Sequence, residues 1–283
     1  MTYNRMMTSV SPLATPLGAR AVSVRKRGGL VSEDLVAVEA PLEIRIGDRP
    51  LVITMRTPGQ DVELAAGYLF GEGIIHSRDQ IASVRDESAS AIFDPTALAA
   101  GQVGAGDRVV VELRDVEDGV VERARRGHAA TAACGVCGKE SLEDLDQALP
   151  SIVAVDCPPA LLAELPERMR PHQPLFHATG GIHAAGLFTL DGTLQHVRED
   201  IGRHNAVDKV IGRAVLDGAA SLTDQILVVS GRAGFELVQK ALKAAIPVMV
   251  SVGAASSLAV DMATAAGMTL YSFVGPDRGN LHV

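Results

Sequence analysis

Tryptophan is absent from the 283 residues, and aromatic side chains amount to only 3%. So few rings exclude the base-stacking platforms of single-strand nucleic-acid binders. Cysteine is equally scarce. Three residues, an odd number, cannot build a disulfide framework, so a reducing compartment is expected. Basic residues are outnumbered, 26 Lys and Arg against 34 Asp and Glu, which leaves a net charge of −8. That balance excludes nucleic-acid binding through bulk electrostatics while leaving room for local basic patches. Long apolar runs are missing as well. Residues 1–20 hold no apolar stretch of signal-peptide length. The most apolar later run, residues 246–260, is broken by Ser and Gly and falls short of the ~18 residues of a membrane span. A cytoplasmic protein is expected, with neither membrane nor nucleic acid as partner.

Apolar material itself is plentiful, 47% of the chain, so disorder is excluded. At about 100–200 residues per domain the length predicts two domains, residues 1–127 and 128–283. The first reads as α+β, after a loose tail over residues 1–19. Strands are expected at residues 34–39, 42–46 and 51–56, with a Gly47-Asp48 turn between the last two. A helix over residues 62–70 is closed by Gly71 and Gly73. Two further strands, residues 108–114 and 120–125, are expected around a Glu117-Asp118-Gly119 turn.

The second domain has another pattern. Residues 182–190 and 193–198 flank Asp191-Gly192, the preferred two-residue hairpin turn. Helix then alternates with strand: helices at 206–216, 235–245 and 258–266, strands at 225–230, 248–252 and 269–274. Such alternation predicts parallel strands joined by right-handed crossovers. The fold class expected is α/β, with a C-terminal mixed sheet between two helical layers.

Between the halves, residues 127–138 are all small or weakly patterned and read as a mobile loop preceding the second domain. Cys134-Gly-Val-Cys137 lies on it. Lys139 and a helix opened by the capping box Ser141-Leu-Glu-Asp144 would both lower a thiol pKa there. Inert buried thiols are disfavoured, because the flanking glycines supply nothing to bury them. A structural zinc site needs about four ligands, and one Cys-x-x-Cys supplies two. Cys157 with His128, His172 or His177 would have to complete it, at a spacing matching no known ribbon or finger. A dithiol oxidoreductase would place the pair at a strand-to-helix junction. A thiol on a flexible arm that carries a group covalently fits these residues better. A zinc-dependent hydrolase or deaminase relative and a non-catalytic maturation scaffold remain as alternatives.

Five long motifs stand in order along the chain. They are Arg56-Thr-Pro-Gly-Gln-Asp61 with its continuation to Ile75, the Cys-Gly-Val-Cys-Gly segment, and Thr179-Gly-Gly-Ile-His183. After these come Arg198-Glu-Asp-Ile-Gly-Arg203-His-Asn-Ala-Val-Asp208-Lys209, then Val229-Ser-Gly-Arg232 together with Ser251-Val-Gly-Ala-Ala-Ser256. In this set the chain resembles the FdhD family, sulfur carrier proteins required for formate dehydrogenase activity. The resemblance spans roughly residues 20–283. It implies a sulfurtransferase with a cytidine deaminase-like second domain. Sulfur would come from a cysteine desulfurase as a persulfide and pass to molybdenum bis(molybdopterin guanine dinucleotide), bound as substrate, for formate dehydrogenase. No resident metal is implied.

By position in the motif, Cys134 is expected to carry the persulfide and Cys137 to act as the second thiol. Where a deaminase has His-Ala-Glu, this chain has His183-Ala184-Ala185, so the general acid/base of deamination is absent. His183, on an apolar strand, is expected to be a core histidine. Arg203, His204 and Lys209 are expected at the site.

The anionic substrate calls for local positive sites in an acidic protein. Ser230, Gly231 and Arg232, and Ser256 in a second loop, lie at strand-to-helix junctions where free N–H groups attract phosphate. The resemblance adds Phe273, Val274, Gly275, Pro276, Asp277 and Arg278. This last stretch departs from the family pattern, with Arg displaced and His282 where an aromatic is usual. GDP or another guanine nucleotide is expected to bind in the substrate's place. No Walker A loop is present, so nucleotide hydrolysis is not expected. A homodimer is left open.

Overall fold

The computed structural model describes residues 15–87, 107–128, 152–275 and 278–282. Its centre is a six-stranded mixed sheet built from the second half of the chain. A hairpin, β7 (His183–Thr189) and β8 (Leu194–Asp200), opens it around the Asp191-Gly192 turn. β9 (Gln225–Val229), β10 (Val248–Ser251) and β11 (Thr269–Gly275) follow in parallel, and β12 (Arg278–His282) returns antiparallel at the edge. The spatial order is β12-β11-β10-β9-β7-β8. β9 and β10 are unbroken apolar runs because both of their faces are covered. Leu227, Val229 and Met249 join one apolar cluster, and Ile226, Val228 and Val250 join the other.

Helices α5 (Arg203–Leu216), α6 (Phe235–Lys243) and α7 (Ser257–Ala266) contribute to the first cluster; α3 (Pro159–Met169) contributes to the second. The short α4 (Pro174–Thr179) follows α3 across a turn of 3-10 helix. The second half is therefore the expected three-layer α/β arrangement. The sequence missed α3 and α4, whose prolines at 159, 166, 171 and 174 disguise a helical stretch as loop.

The first half carries a ribbon, β1 (Ala19–Arg25) with β2 (Val31–Ala37), and a four-stranded sheet. That sheet runs β4-β3-β6-β5, with β3 Ala40–Ile46, β4 Arg49–Arg56, β5 Ile81–Asp86 and β6 Asp107–Leu113. One expectation fails here. Residues 120–125 are not a strand but part of α2 (Asp118–His128), which is tied to β4 by Arg49 against Asp118 at 3.2 Å. Val120, Val121 and Ala124 pack on the large cluster at helical spacing, and Glu122-Arg-Ala-Arg are good helix formers.

Helix α1 (Asp61–Gly71) joins the two halves by crossing α5. The crossing is closest at two glycines. A Cβ on Gly67 would lie 1.8 Å from the Asp208 carbonyl oxygen, and one on Gly212 would lie 1.9 Å from that of Glu63. Neither contact can be relieved by a rotamer, since both partners are backbone. Gly67→Ala is expected to force the helices apart and to destabilise by about 1–3 kcal/mol or more. Chemical denaturation should show the loss as a lower midpoint.

Candidate functional site

The carboxyl ends of β8, β9, β10 and β11 share one edge of the large sheet, the edge at which open α/β sheets bind ligands. Ser230, Gly231 and Arg232 leave β9 there and are stitched to the next two loops. The Gly253 N–H donates to the Gly231 carbonyl at 2.8 Å, and the Phe273 N–H donates to the Gly253 carbonyl at 2.9 Å. Ser251 Oγ sits beneath both, donating to the Gly231 carbonyl at 2.8 Å and reaching that of Gly253 at 3.0 Å. A Cβ on Gly253 would come within 2.8 Å of the Gly231 oxygen and the Arg232 Cα. Close approach of these loops therefore requires glycine.

Not every expected residue offers its side chain to this edge. Ser256 Oγ accepts from the Ala259 N–H at 3.3 Å, so it is occupied as the N-cap of α7. Val274 is buried in the apolar cluster with Val250 and Tyr271. Phe273 is exposed at a positive φ of 57°, and the Arg278 guanidinium lies over its ring at 4.1 Å. Contrary to the expectation that the chain quits the sheet after residue 274, β11 continues through Gly275 and pairs with β12. A register irregularity between Ser272 and Gly275 absorbs the misfit and turns Phe273 outward. Pro276 and Asp277 lie outside the described residues, as do Cys134, Cys137 and the helix expected after them.

The charged run after β8 divides into two roles. Lys209 and Asp200 are wholly buried and paired at 2.7 Å, and Lys209 also donates to the Thr57 carbonyl at 2.8 Å. Asp200 accepts in addition from the N–H groups of Thr57 at 3.1 Å and Gly202 at 2.8 Å, and from the Asn205 amide at 3.0 Å. Asp208 is buried with Lys240 at 2.7 Å, and burial pushes its carboxyl above the usual range. Lys209, placed at the site from its sequence context, is thus a structural clamp between the halves. His204 reaches Glu236 on α6. Arg203 stays half-buried at the edge, and neither it, Arg232 nor Arg278 has an ion-pair partner among the described residues. Three uncompensated guanidinium groups in a protein of net charge −8 form a local positive rim suited to an anion.

Beside this rim a cleft of about 480 Å³ opens between the α3–α4 turn and the sheet edge. Met169, Ile182 and Val252 form its apolar wall, with Arg170, Gln173 and His183 as polar members. His183 is therefore not a core histidine. Its Nδ1 lies 3.4 Å from Ser230 Oγ, and burial, then Arg203 and His204, lower its pKa. The imidazole is neutral at pH 7 and offers one donor and one acceptor. Ala185, where a deaminase would carry its glutamate, is wholly buried in the apolar cluster. Among the described residues no three His, Cys, Asp or Glu converge to hold a metal ion. Cys157, a ligand in the zinc alternative, is buried among Leu162 and Tyr271, with its thiol pKa raised by desolvation and by Asp156. Arg170, Gln173 and Phe176 went unnoticed in the sequence, since nothing but a proline-rich context distinguishes them.

Fold and edge together define an α/β protein whose positive rim and cleft lie on the large sheet and whose sequence carries Cys134-Gly-Val-Cys137. The profile of the FdhD/NarQ family matches residues 37–282, and the chain belongs to that family. A Streptomyces avermitilis protein named sulfur carrier protein FdhD is 44% identical over 259 residues, covering 89% of this chain and 88% of its own. A namesake from Anaeromyxobacter dehalogenans strain 2CP-C is 43% identical over 288 residues, covering 98% and 96%. Among solved structures, a crystal structure of a protein assigned as a formate dehydrogenase accessory protein from Desulfotalea psychrophila superposes with a TM-score of 0.68. The two are 27% identical, and the match covers 94% of this chain and 97% of that one. Among the described residues no helix is long and apolar enough to cross a membrane.

Proposed function

We propose that this protein is a sulfur carrier that serves formate dehydrogenase, taking sulfur from a cysteine desulfurase and handing it to molybdenum bis(molybdopterin guanine dinucleotide), its bound substrate. What carries the reading is Cys134-Gly-Val-Cys137 within a chain of the FdhD/NarQ family, whose relatives are named sulfur carriers across nearly their whole length. In the loading step the Cys134 thiolate attacks the outer sulfur of the desulfurase persulfide. The old S–S bond breaks, the desulfurase thiolate leaves, and no electrons are exchanged overall.

Release uses the second thiol. The Cys137 thiolate attacks the inner sulfur, closing a Cys134–Cys137 disulfide and freeing hydrosulfide for the metal. The two electrons come from the dithiol, and an external thiol reductant then restores it. The substrate's phosphates are supported by the rim of Arg203, Arg232 and Arg278, where planar guanidinium groups suit bidentate contact.

Intact mass measurement after incubation with a cysteine desulfurase and cysteine tests the loading step. One added sulfur atom, removed by dithiothreitol and absent from a Cys134→Ala, Cys137→Ala double variant, is the expected result. An unchanged mass in the parent protein would end this reading.

A further inference from the structure

β1 and β2 form a ribbon that joins neither of the larger sheets. No residue of either strand is buried, and Val22, Val24, Leu35 and Val36 are only half-buried. A two-stranded ribbon that buries neither face is marginally stable by itself. Its base is nevertheless fixed. The Val38 N–H donates to the Gly18 carbonyl at 2.8 Å, and a Cβ on Gly18 would lie 2.7 Å from Thr57 Cγ2 and 3.2 Å from Leu175 Cδ1. Both strands also pack on α4, whose Phe176 lines the cleft.

The far end of the ribbon is built differently. Seven residues of strand at ~3.3 Å each carry it about 20 Å from the base. The Lys26 N–H donates to the Leu30 carbonyl at 2.9 Å and the Gly29 N–H to the Lys26 carbonyl at 3.0 Å, with Gly28 and Gly29 at φ of 105° and 90°. A Cβ on either glycine would meet nothing within 4 Å, so the tip stands clear of the other described residues. Arg25, Lys26 and Arg27 are exposed on this turn, and none has an ion-pair partner among the described residues. Leu30 and Val31 beside them are 69% and 60% exposed. The acids of the ribbon, Glu33 and Asp34, lie back along β2 opposite Ser23 and Val22.

Cations at an exposed strand end guard against edge pairing, but two large apolar side chains set beside them undo that protection. An apolar pair ringed by cations has instead the make-up of an interface, in which the pair is buried and the charges select the partner's sign. The turn displays these side chains in a defined conformation, so little ordering is needed on contact. The chain as a whole carries a net charge of −8. An acidic partner is therefore repelled by most of its surface and drawn to this arm, which fixes the direction of approach.

We infer that the tip of the β1–β2 ribbon is a docking arm for an acidic, partly apolar face of the client dehydrogenase. The place of the ribbon favours the client over the sulfur donor, because its base packs on the wall of the cleft from which the substrate would leave. The inference rests on the client named in the proposed function and adds the surface that holds it.

Biolayer interferometry with the full chain and the catalytic subunit of formate dehydrogenase, purified from cells lacking the carrier, tests it. The parent should bind, and less tightly as ionic strength rises. An Arg25→Glu, Lys26→Glu, Arg27→Glu variant should bind about tenfold more weakly at low salt and lose most of the salt dependence, since exposed charges act on encounter. Leu30→Ser with Val31→Ser, at exposed positions where no packing is lost, should weaken binding while the salt dependence remains. Sulfur loading from the desulfurase should be equal in all three proteins, which also shows that the variants fold. The inference is overturned if the parent does not bind the subunit or if both variants bind it as tightly as the parent. It is equally overturned if subunit binding is unchanged while the charge-reversed variant loses something else: its loading rate, binding to phosphatidylglycerol vesicles, or a dimer present in the parent. Normal loading beside any of these binding results leaves the carrier function standing without this arm. A parent that takes up no sulfur while the variants still lose binding would end the carrier reading and leave the arm in place.

Discussion

Cys134→Ala is expected to abolish formate dehydrogenase maturation while leaving the fold of the carrier intact. The substitution removes one sulfur atom from a segment of Gly, Ala and Val, small residues whose own packing demands little of it. Chemically the loss is complete, because a thiolate is the only group in the segment that can accept sulfane sulfur. Dehydrogenase activity in cells carrying the variant should fall to that of cells lacking the carrier, and the thermal midpoint should stay at the parent value. Cys137→Ala separates the two thiols. It should still gain one sulfur from the desulfurase, but the sulfur should persist, since no neighbouring thiolate is present to expel it. Full maturation by Cys134→Ala, with persulfide found on Cys137, would reverse the assigned roles.

The second large effect concerns stability. Lys209→Ala should cost about 3–5 kcal/mol, the loss typical of a buried ion pair stripped of one partner. Asp200 would remain buried with three hydrogen-bond donors and no cation, and the Thr57 carbonyl would lose its charged donor. Lys209→Met keeps most of the volume and should cost less, because it leaves the charge imbalance without the cavity. Asp200 cannot be exchanged for an apolar residue at the same time without orphaning the Thr57, Gly202 and Asn205 donors. The buried pair is therefore locked in by its surroundings. Urea denaturation followed by circular dichroism gives the midpoints. Equal stability of parent and Lys209→Ala would show that the clamp between the halves is dispensable.

The run from β7 to β11 was legible because each of its elements satisfies a local rule. Asp191-Gly192 specifies the hairpin, and the apolar runs of β9 and β10 are long enough for strands buried on both faces but too short for helices. In α2 local rules conflicted. Glu117-Asp118-Gly119 reads as a turn, yet the next residues present Val120, Val121 and Ala124 to the core at helical spacing, and packing decides the outcome. Of the β1–β2 ribbon only β2 was anticipated, by the strand at residues 34–39; β1 was overlooked although Lys26-Arg-Gly-Gly is a fair turn, because these strands bury little and alternate weakly.

Chemistry that travels with a short contiguous motif was open to reading from the residues alone. The cysteine pair, the glycines of the junction loops and the missing deaminase glutamate belong to that class, since each role depends on neighbours within a few positions. Long-range pairing was not. Lys209 and Arg203 look alike in sequence, six residues apart in one polar run, yet one is wholly buried against Asp200 and the other waits at the sheet edge. Gln173, His183 and Val252 come from three separate stretches and meet only because β7 begins and β10 ends on the same edge beside the α3–α4 turn. Whether a cation is a clamp or a ligand-facing group depends on which carboxylate the fold brings to it, and desolvation makes that distinction sharp. The sequence by itself therefore determined the strands and helices from β7 to β11 and the thiol pair on which the proposed chemistry rests; tertiary structure alone decided which polar groups are consumed in holding the halves together and which are left free to bind.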